Sequence, residues 1–231
     1  MSDARFAPLE NTVDRDESLG ILRDATVGAD DGELFLERRR SEVLVYDDAR
    51  LKTASYDASE GFGLRAVRGE VTGYAHSTEL SVAALRRACE TARRAVGDGG
   101  GTLADAPQAT NTRLYTDADP ISGASFPVKL ETLKDIDDYL RALDPRVVQV
   151  SASLAASLQE VEILRPDGLS MKDIRPMSRL NISVIVEQNG RRESGSAGGG
   201  GRVGLDGLID RDNWQGKARE ALRVAVVNLD A

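Results

Sequence analysis

The chain has 231 residues, of which 41% are hydrophobic, and this is enough to bury the core of one large domain or two small ones. Its formal net charge of −8 excludes nucleic acid as a partner unless the basic residues gather in one patch, because a phosphate backbone would otherwise be repelled. The chain contains one cysteine and no apolar run near the roughly 20 residues of a membrane span, so we expect a cytoplasmic protein with no intrachain disulfide and no membrane partner.

Residues 1–96 predict a helix, an antiparallel meander and a second helix. Three acids suit the first turn of the first helix, because the amino end of a helix dipole is positive: Asp14, Asp16 and Glu17. Alternating apolar and polar residues then predict five strands, of which the last two form a hairpin at Arg68-Gly69. Ser81 caps the second predicted helix, whose apolar residues recur every three or four positions as far as Val96.

Residues 97–125 contain enough glycine and proline to resist both helix and strand, so we expect a linker or an extended wrapping segment there. Residues 126–231 predict a helix that Pro145 ends, a second antiparallel sheet and a terminal helix from Asn213 to Asn228. Asn189-Gly190 is a strong hairpin signal within that sheet. Because strands and helices do not alternate regularly, the predicted fold class is α+β with mainly antiparallel sheets and packed helices.

Three separated stretches carry a family resemblance: GFGLRAVRGEVTGYAHS at 61–77, ALDPRVVQVSASL at 142–154 and GRRESGSAGGGGR at 190–202. In this order and spacing they resemble the amino-terminal half of the TldD/PmbA metallopeptidases. The resemblance runs from about Gly28 to Leu229. The segment RAVRGEVTGYA at 65–75 resembles the TldD branch of the family more closely than the PmbA branch.

The resemblance implies a protease of peptides and unfolded polypeptides, which the family encloses between the two subunits of a homo- or heterodimer. The family's metal site is a His-Glu-x-x-x-His helix with a distant cysteine, and it holds a zinc-type divalent metal. Catalytic zinc needs about three protein ligands and an open position for water, whereas this chain contains one histidine, His76. We therefore expect no metal, cofactor or catalytic residue in this chain. We interpret it as the amino-terminal portion of such a protein, truncated before the motif.

His76 and Cys89 are the two residues that could suggest a different hydrolase. No serine or cysteine nucleophile pattern surrounds His76, so a hydrogen-bonded or solvent-facing histidine is the better interpretation. Cys89 falls on the apolar face of its predicted helix, where a thiol behaves as a small hydrophobe and its pKa rises. A serine or cysteine hydrolase built on these residues is therefore disfavoured.

The glycine-rich stretch GSAGGGGR is the candidate functional site. Its amides could cradle an anion, but it lacks the Gly-Lys-Ser/Thr ending of a phosphate loop. Glycines also let another backbone approach closely, so a strand here could pair with an extended peptide through main-chain hydrogen bonds. The candidate peptide-binding residues, beside a partner strand over 180–187, are Ser194, Gly195, Gly198, Gly199, Gly200, Gly201 and Arg202. The alternative is a purely structural glycine segment.

Two functions are consistent with these observations. In the first, the chain supplies scaffold and a peptide-binding sheet to a TldD-like metalloprotease and is inactive alone. In the second, it is a non-catalytic peptide-binding or assembly module that pairs with a TldD/PmbA partner.

Overall fold

The computed structural model describes residues 6–97, 102–105 and 114–231. Its strands are β1 (Asp31–Asp47), β2 (Arg50–Arg68), β3 (Val71–Ser77), β4 (Val147–Leu164), β5 (Ser170–Gln188) and β6 (Arg191–Gly201). Its helices are α1 (Pro8–Asn11), α2 (Arg15–Ala25), α3 (Val82–Val96), α4 (Phe126–Leu143), α5 (Asp206–Ile209) and α6 (Arg211–Asp230). Residues 98–101 and 106–113 of the predicted linker at 97–125 lie outside the described residues, whereas 97, 102–105 and 114–125 belong to no helix or strand. The predicted domain boundaries stay a prediction.

The strands form one sheet in the order β3-β2-β1-β4-β5-β6, and both hairpins at its ends are antiparallel. This arrangement confirms the predicted α+β class. The two predicted groups of strands belong to the same sheet, because β1 lies beside β4.

The predicted number of strands in the meander is wrong. Leu34 to Val45 lie in the single 17-residue strand β1, and the 19-residue strand β2 continues into the β2–β3 hairpin. The residues between Leu36 and Val43 are all polar and continue the strand, and distant residues neutralise three of their charges. The ion pairs are Arg38 with Glu160 at 2.9 Å, Arg40 with Asp119 at 2.9 Å, and Glu42 with Lys129.

One compact unit comprises residues 6–39, 58–97, 102–105 and 159–174 of the described chain. In it α3 packs on β3, and α2 packs on α3. Its core contains six leucines that are at most 1% exposed: Leu22, Leu34, Leu36, Leu64, Leu85 and Leu164. Ser81 caps α3 as predicted, since its hydroxyl accepts a hydrogen bond from the Ala84 amide at 3.1 Å.

The other unit comprises residues 40–57, 114–158 and 175–231 of the described chain. Here α6 lies along β6, and Trp214 of α6 meets Tyr139 of α4 edge to face, with ring centroids 5.5 Å apart. Four residues of β5 are fully buried at every second position: Leu180, Ile182, Val184 and Val186. The residues between them are exposed or half-buried, so helices cover one face of these strands and the other face stays open.

The turn between β5 and β6 is the one that the sequence predicts. Asn189 and Gly190 have φ angles of 54° and 81°, the left-handed conformation that a two-residue hairpin turn requires at both positions. This turn fixes the register of the β5–β6 hairpin.

Candidate functional site

Strand β6 is the last strand of the sheet and carries six of the seven predicted peptide-binding residues, and Arg202 directly follows it. It pairs with β5 so that Gly198 lies opposite Asn181 and Gly200 lies opposite Arg179. Among the described residues, no strand pairs with the outer side of β6. Such an edge can accept an extended chain through main-chain hydrogen bonds.

Two of the predicted glycines face α6. A Cβ atom at Gly195 would lie 2.2 Å from the Ala221 carbonyl oxygen, and one at Gly199 would lie 2.7 Å from Lys217 Cε. Gly195 therefore lets the backbone of α6 come close to the sheet. The need for glycine at position 199 is weaker, because the end of the Lys217 side chain can move.

Two other glycines of β6 lie against β5. A Cβ atom at Gly198 would be 2.6 Å from Asn181 Oδ1, and one at Gly200 would be 2.0 Å from the Ser178 carbonyl oxygen. Packing within this unit thus accounts for both residues. Gly201 differs, because a Cβ atom there would meet nothing within 4 Å.

The two remaining predicted residues mark the ends of the segment. Ser194 is exposed, and its carbonyl oxygen accepts a hydrogen bond from Asn228 Nδ2 at 3.0 Å. Arg202 places its guanidinium carbon 4.8 Å from the centroid of the Tyr115 ring, which is a cation–π contact.

A hollow of about 400 Å³ lies on the side of the β5–β6 hairpin opposite α6 and extends to β4. Its polar lining consists of four serines, Ser151, Ser153, Ser183 and Ser196, together with Arg179 and Asn181, and Gly198 completes one wall. None of the described residues that line the hollow is acidic. The hollow therefore offers hydrogen-bond donors and one positive charge.

Sequence reasoning missed this hollow, although it identified the strands that form it. The available signal was the polar half of the alternation in β4 and β5, which supplies Ser151, Ser153, Arg179, Asn181 and Ser183. The strand pattern shows that these residues point away from the core. Only the pairing of three strands brings them together.

His76 and Cys89 lie where the sequence predicts them. His76 is exposed on β3 and stacks on Tyr74, with ring centroids 5.6 Å apart. Cys89 is half-buried on α3 against the core of its unit, and burial raises the pKa of its thiol by removing the thiolate from water.

The family's metal requires a cluster of ligands, and the described part of the chain does not fit that requirement. No group of three or more His, Cys, Asp or Glu side chains within it is placed to hold a metal ion. We therefore derive no catalytic step through a metal from these residues.

The geometry defines an α+β protein with one antiparallel sheet, an open sheet edge and a polar hollow beside that edge. The chain belongs to the PmbA/TldD metallopeptidase family, which confirms the resemblance in the sequence. The family model of the PmbA/TldA metallopeptidase domain 1 matches residues 32–96, and that of the central domain matches residues 119–229. No helix in the described ranges combines the length and apolarity needed to cross a bilayer.

Two curated relatives are named as TldD homologues. The chain is 38% identical over 210 residues to the metalloprotease TldD homolog of Haemophilus influenzae, a match that covers 87% of this chain and 43% of that protein. It is 32% identical over 225 residues to the metalloprotease TldD homolog of Buchnera aphidicola, covering 94% of this chain and 47% of the relative. The chain thus spans about half the length of the curated relatives it matches.

A solved structure shows the same fold. TldE from Thermococcus kodakarensis superposes with a TM-score of 0.70 at 16% identity, covering 94% of this chain and 47% of that chain.

Proposed function

We propose that this chain is the amino-terminal portion of a TldD-like metalloprotease that degrades or processes peptides and unfolded polypeptides. In this role it supplies scaffold and a peptide-binding sheet, and residues outside the 231 supply the metal ligands. The observation that carries the protease assignment is the 38% identity to a metalloprotease TldD homolog across most of the chain.

The outer edge of β6 is the surface that would hold the peptide. An extended substrate would add a strand to this edge, and main-chain hydrogen bonds would bind it without regard to most of its side chains. The Ser194 carbonyl oxygen already has a partner in Asn228, so strand addition would use the part of the edge that follows it.

Backbone N-methylation of a peptide tests this binding mode. A labelled unfolded peptide should bind the 231-residue chain, as measured by fluorescence anisotropy. The same sequence with alternate amides methylated should bind at least about tenfold more weakly, because it cannot form the strand ladder. Equal binding of the two peptides would contradict strand addition.

A separate assay tests the source of the hydrolysis. The purified chain with added zinc should leave the peptide intact, because the proposal assigns the metal ligands to residues outside it. Chelator-sensitive cleavage by this chain, unaided by another protein, would overturn that assignment.

The assembly module is the second candidate, and β2 favours it. Residues 50–60 of β2 are exposed throughout, and the pairing of β2 with β3 begins only at Phe62. A homo- or heterodimer with a TldD/PmbA subunit would cover this stretch. Light scattering of the chain, alone and with a longer family member, should then show a complex with the partner, and Tyr56→Asp should weaken it. Two components that remain separate would count against this candidate.

The expected cytoplasmic location remains a prediction, which cell fractionation would check.

A further inference from the structure

The polar hollow differs from most of this acidic protein in its charge. The chain carries a formal net charge of −8, yet the lining of the hollow contains a guanidinium and no carboxylate among the described residues. The remaining polar groups are hydroxyls and one amide, all of which can donate hydrogen bonds. A ligand that accepts hydrogen bonds and carries negative charge suits this lining.

Arg179 is held in a defined orientation within the hollow. Its Nε atom donates to Asn181 Oδ1 at 2.8 Å, and both residues lie on β5 opposite glycines of β6. Gly198 makes this arrangement possible, because a Cβ atom there would lie 2.6 Å from Asn181 Oδ1. A side chain at Gly198 would therefore displace the group that orients the guanidinium.

The terminal nitrogens of Arg179 are available for a ligand. In the described part of the chain, Arg179 forms no ion pair, and its hydrogen bond to Asn181 uses Nε alone. The Asn181 Nδ2 group remains a donor beside it, because Oδ1 is the atom that accepts from Arg179. The two Nη atoms of an arginine match the two oxygens of a carboxylate in a planar, bidentate pair.

We infer that this hollow binds the carboxylate of a peptide, with Arg179 as the paired cation and Asn181 and the serines as additional donors. One guanidinium balances the single charge of a carboxylate, whereas a phosphate dianion would need further cations that this lining lacks. The inference rests on the proposed function in taking a peptide as the source of the carboxylate. The Arg179 site would add an ion pair to recognition by the β6 edge, which by itself contacts only the main chain of the peptide.

Titration calorimetry of the 231-residue chain tests the inference with matched peptides. The probes are a short peptide with a free carboxyl terminus and a glutamate side chain, its amidated form, and the form with glutamine in place of glutamate. Removal of the carboxylate that binds should weaken affinity at least about tenfold. A loss of affinity on amidation identifies the terminal carboxylate as the ligand. A loss of affinity on replacement of glutamate by glutamine identifies the side-chain carboxylate. Either loss supports the inference, and equal binding of all three peptides overturns it.

Arg179→Gln should weaken binding of the carboxylate peptide at least about tenfold, and Arg179→Lys should restore only part of the loss, because lysine cannot form the bidentate pair. Arg39→Gln is the matched control, since Arg39 is an exposed strand arginine that does not line the hollow. It should bind as the unmodified chain does. Thermal melts of all three variants should coincide with that of the unmodified chain, which separates a lost contact from a lost fold.

Three results would overturn the inference: unchanged binding in Arg179→Gln, equal losses in Arg179→Gln and Arg39→Gln, or tighter binding of inorganic phosphate than of the carboxylate peptide. The N-methylated peptides probe the β6 edge independently of Arg179. A failure of the carboxylate site is therefore distinguishable from a failure of strand addition.

Discussion

The two end hairpins of the sheet use the same packing device on one side. In the β2–β3 hairpin, a Cβ atom at Gly73 would lie 2.2 Å from the Ala92 carbonyl oxygen of α3. In the β5–β6 hairpin, a Cβ atom at Gly195 would lie 2.2 Å from the Ala221 carbonyl oxygen of α6. In each hairpin a glycine of the edge strand therefore lets a helix backbone lie directly on the sheet.

The hairpins differ on their other side. In β2–β3, a Cβ atom at Gly63 would lie 2.7 Å from Tyr74 Oη, so an aromatic ring covers that glycine, and Tyr74 also stacks on His76. In β5–β6, small polar side chains surround Gly198 and the hollow is open. The hairpins therefore share close packing at their glycines, and they differ in what covers the face opposite the helix, which is an aromatic ring in β2–β3 and small polar side chains in β5–β6.

The largest expected effect comes from filling the two packing glycines. Gly73→Val and Gly195→Val should each lower the free energy of unfolding by about 3 kcal/mol, because the helix backbone must move away from the sheet. Urea denaturation of each variant measures the loss. Gly201→Ala is the control and should change stability by less than about 0.5 kcal/mol, because it meets open space. A large loss at one packing glycine and none at the other would break the proposed equivalence.

Local signals account for the part of the fold that was predicted from sequence. The α3 cap at Ser81, the helical spacing that ends at Val96 and the Asn189-Gly190 turn each depend on residues close together in the chain. The length of β1 could not be predicted in this way, because Arg38 is neutralised by Glu160, which lies 122 residues away. Such a pairing leaves no mark on the local pattern.

The candidate site shows the same limit. The sequence indicated β6 as an edge strand rich in glycine, and its role in peptide binding stays a prediction. It did not indicate the hollow, because Ser151 and Arg179 meet only through the pairing of β4 with β5. Long-range pairing decides which polar residues of the two strands become neighbours.

An aromatic residue placed on the open face of the β5–β6 hairpin should cover that face, as Tyr74 covers Gly63 in the β2–β3 hairpin. Ser196→Tyr should reduce binding of the carboxylate peptide at least about tenfold, or about 1.4 kcal/mol, by filling the hollow. Stability should not fall, since Ser196 is exposed and tyrosine suits a strand. Calorimetry and urea denaturation of the same sample check both parts, and a variant that binds normally would contradict the location of the ligand.

The reverse change removes the aromatic ring of Tyr74 from the β2–β3 hairpin. Tyr74→Ala should lower the free energy of unfolding by about 1 kcal/mol, because Gly63 loses the ring that covers it and His76 loses its stacking partner. Tyr74→Phe should retain most of that stability, which separates coverage by the ring from any contribution of the hydroxyl group. Urea denaturation measures both variants, and equal losses would show that coverage of Gly63 contributes little.

We expect the smallest effect on stability from Cys89, which lies on α3, the helix that packs on β3. Burial raises the pKa of its thiol, and the nearby Asp24 carboxylate adds to the shift, so the folded chain retains this proton more tightly than the unfolded chain. The stability that Cys89 contributes through this shift is fully present below the unfolded thiol pKa of about 8.5. This stability is lost as the pH rises through the pKa of the thiol in the folded chain.

The free energy of unfolding of the unmodified chain should therefore fall slightly more between about pH 8 and 10 than that of Cys89→Ala. Iodoacetamide should also react more slowly with the folded chain than with the unfolded one at the same pH. Parallel pH profiles for the two proteins would mean that the folded chain does not shield the thiol from water.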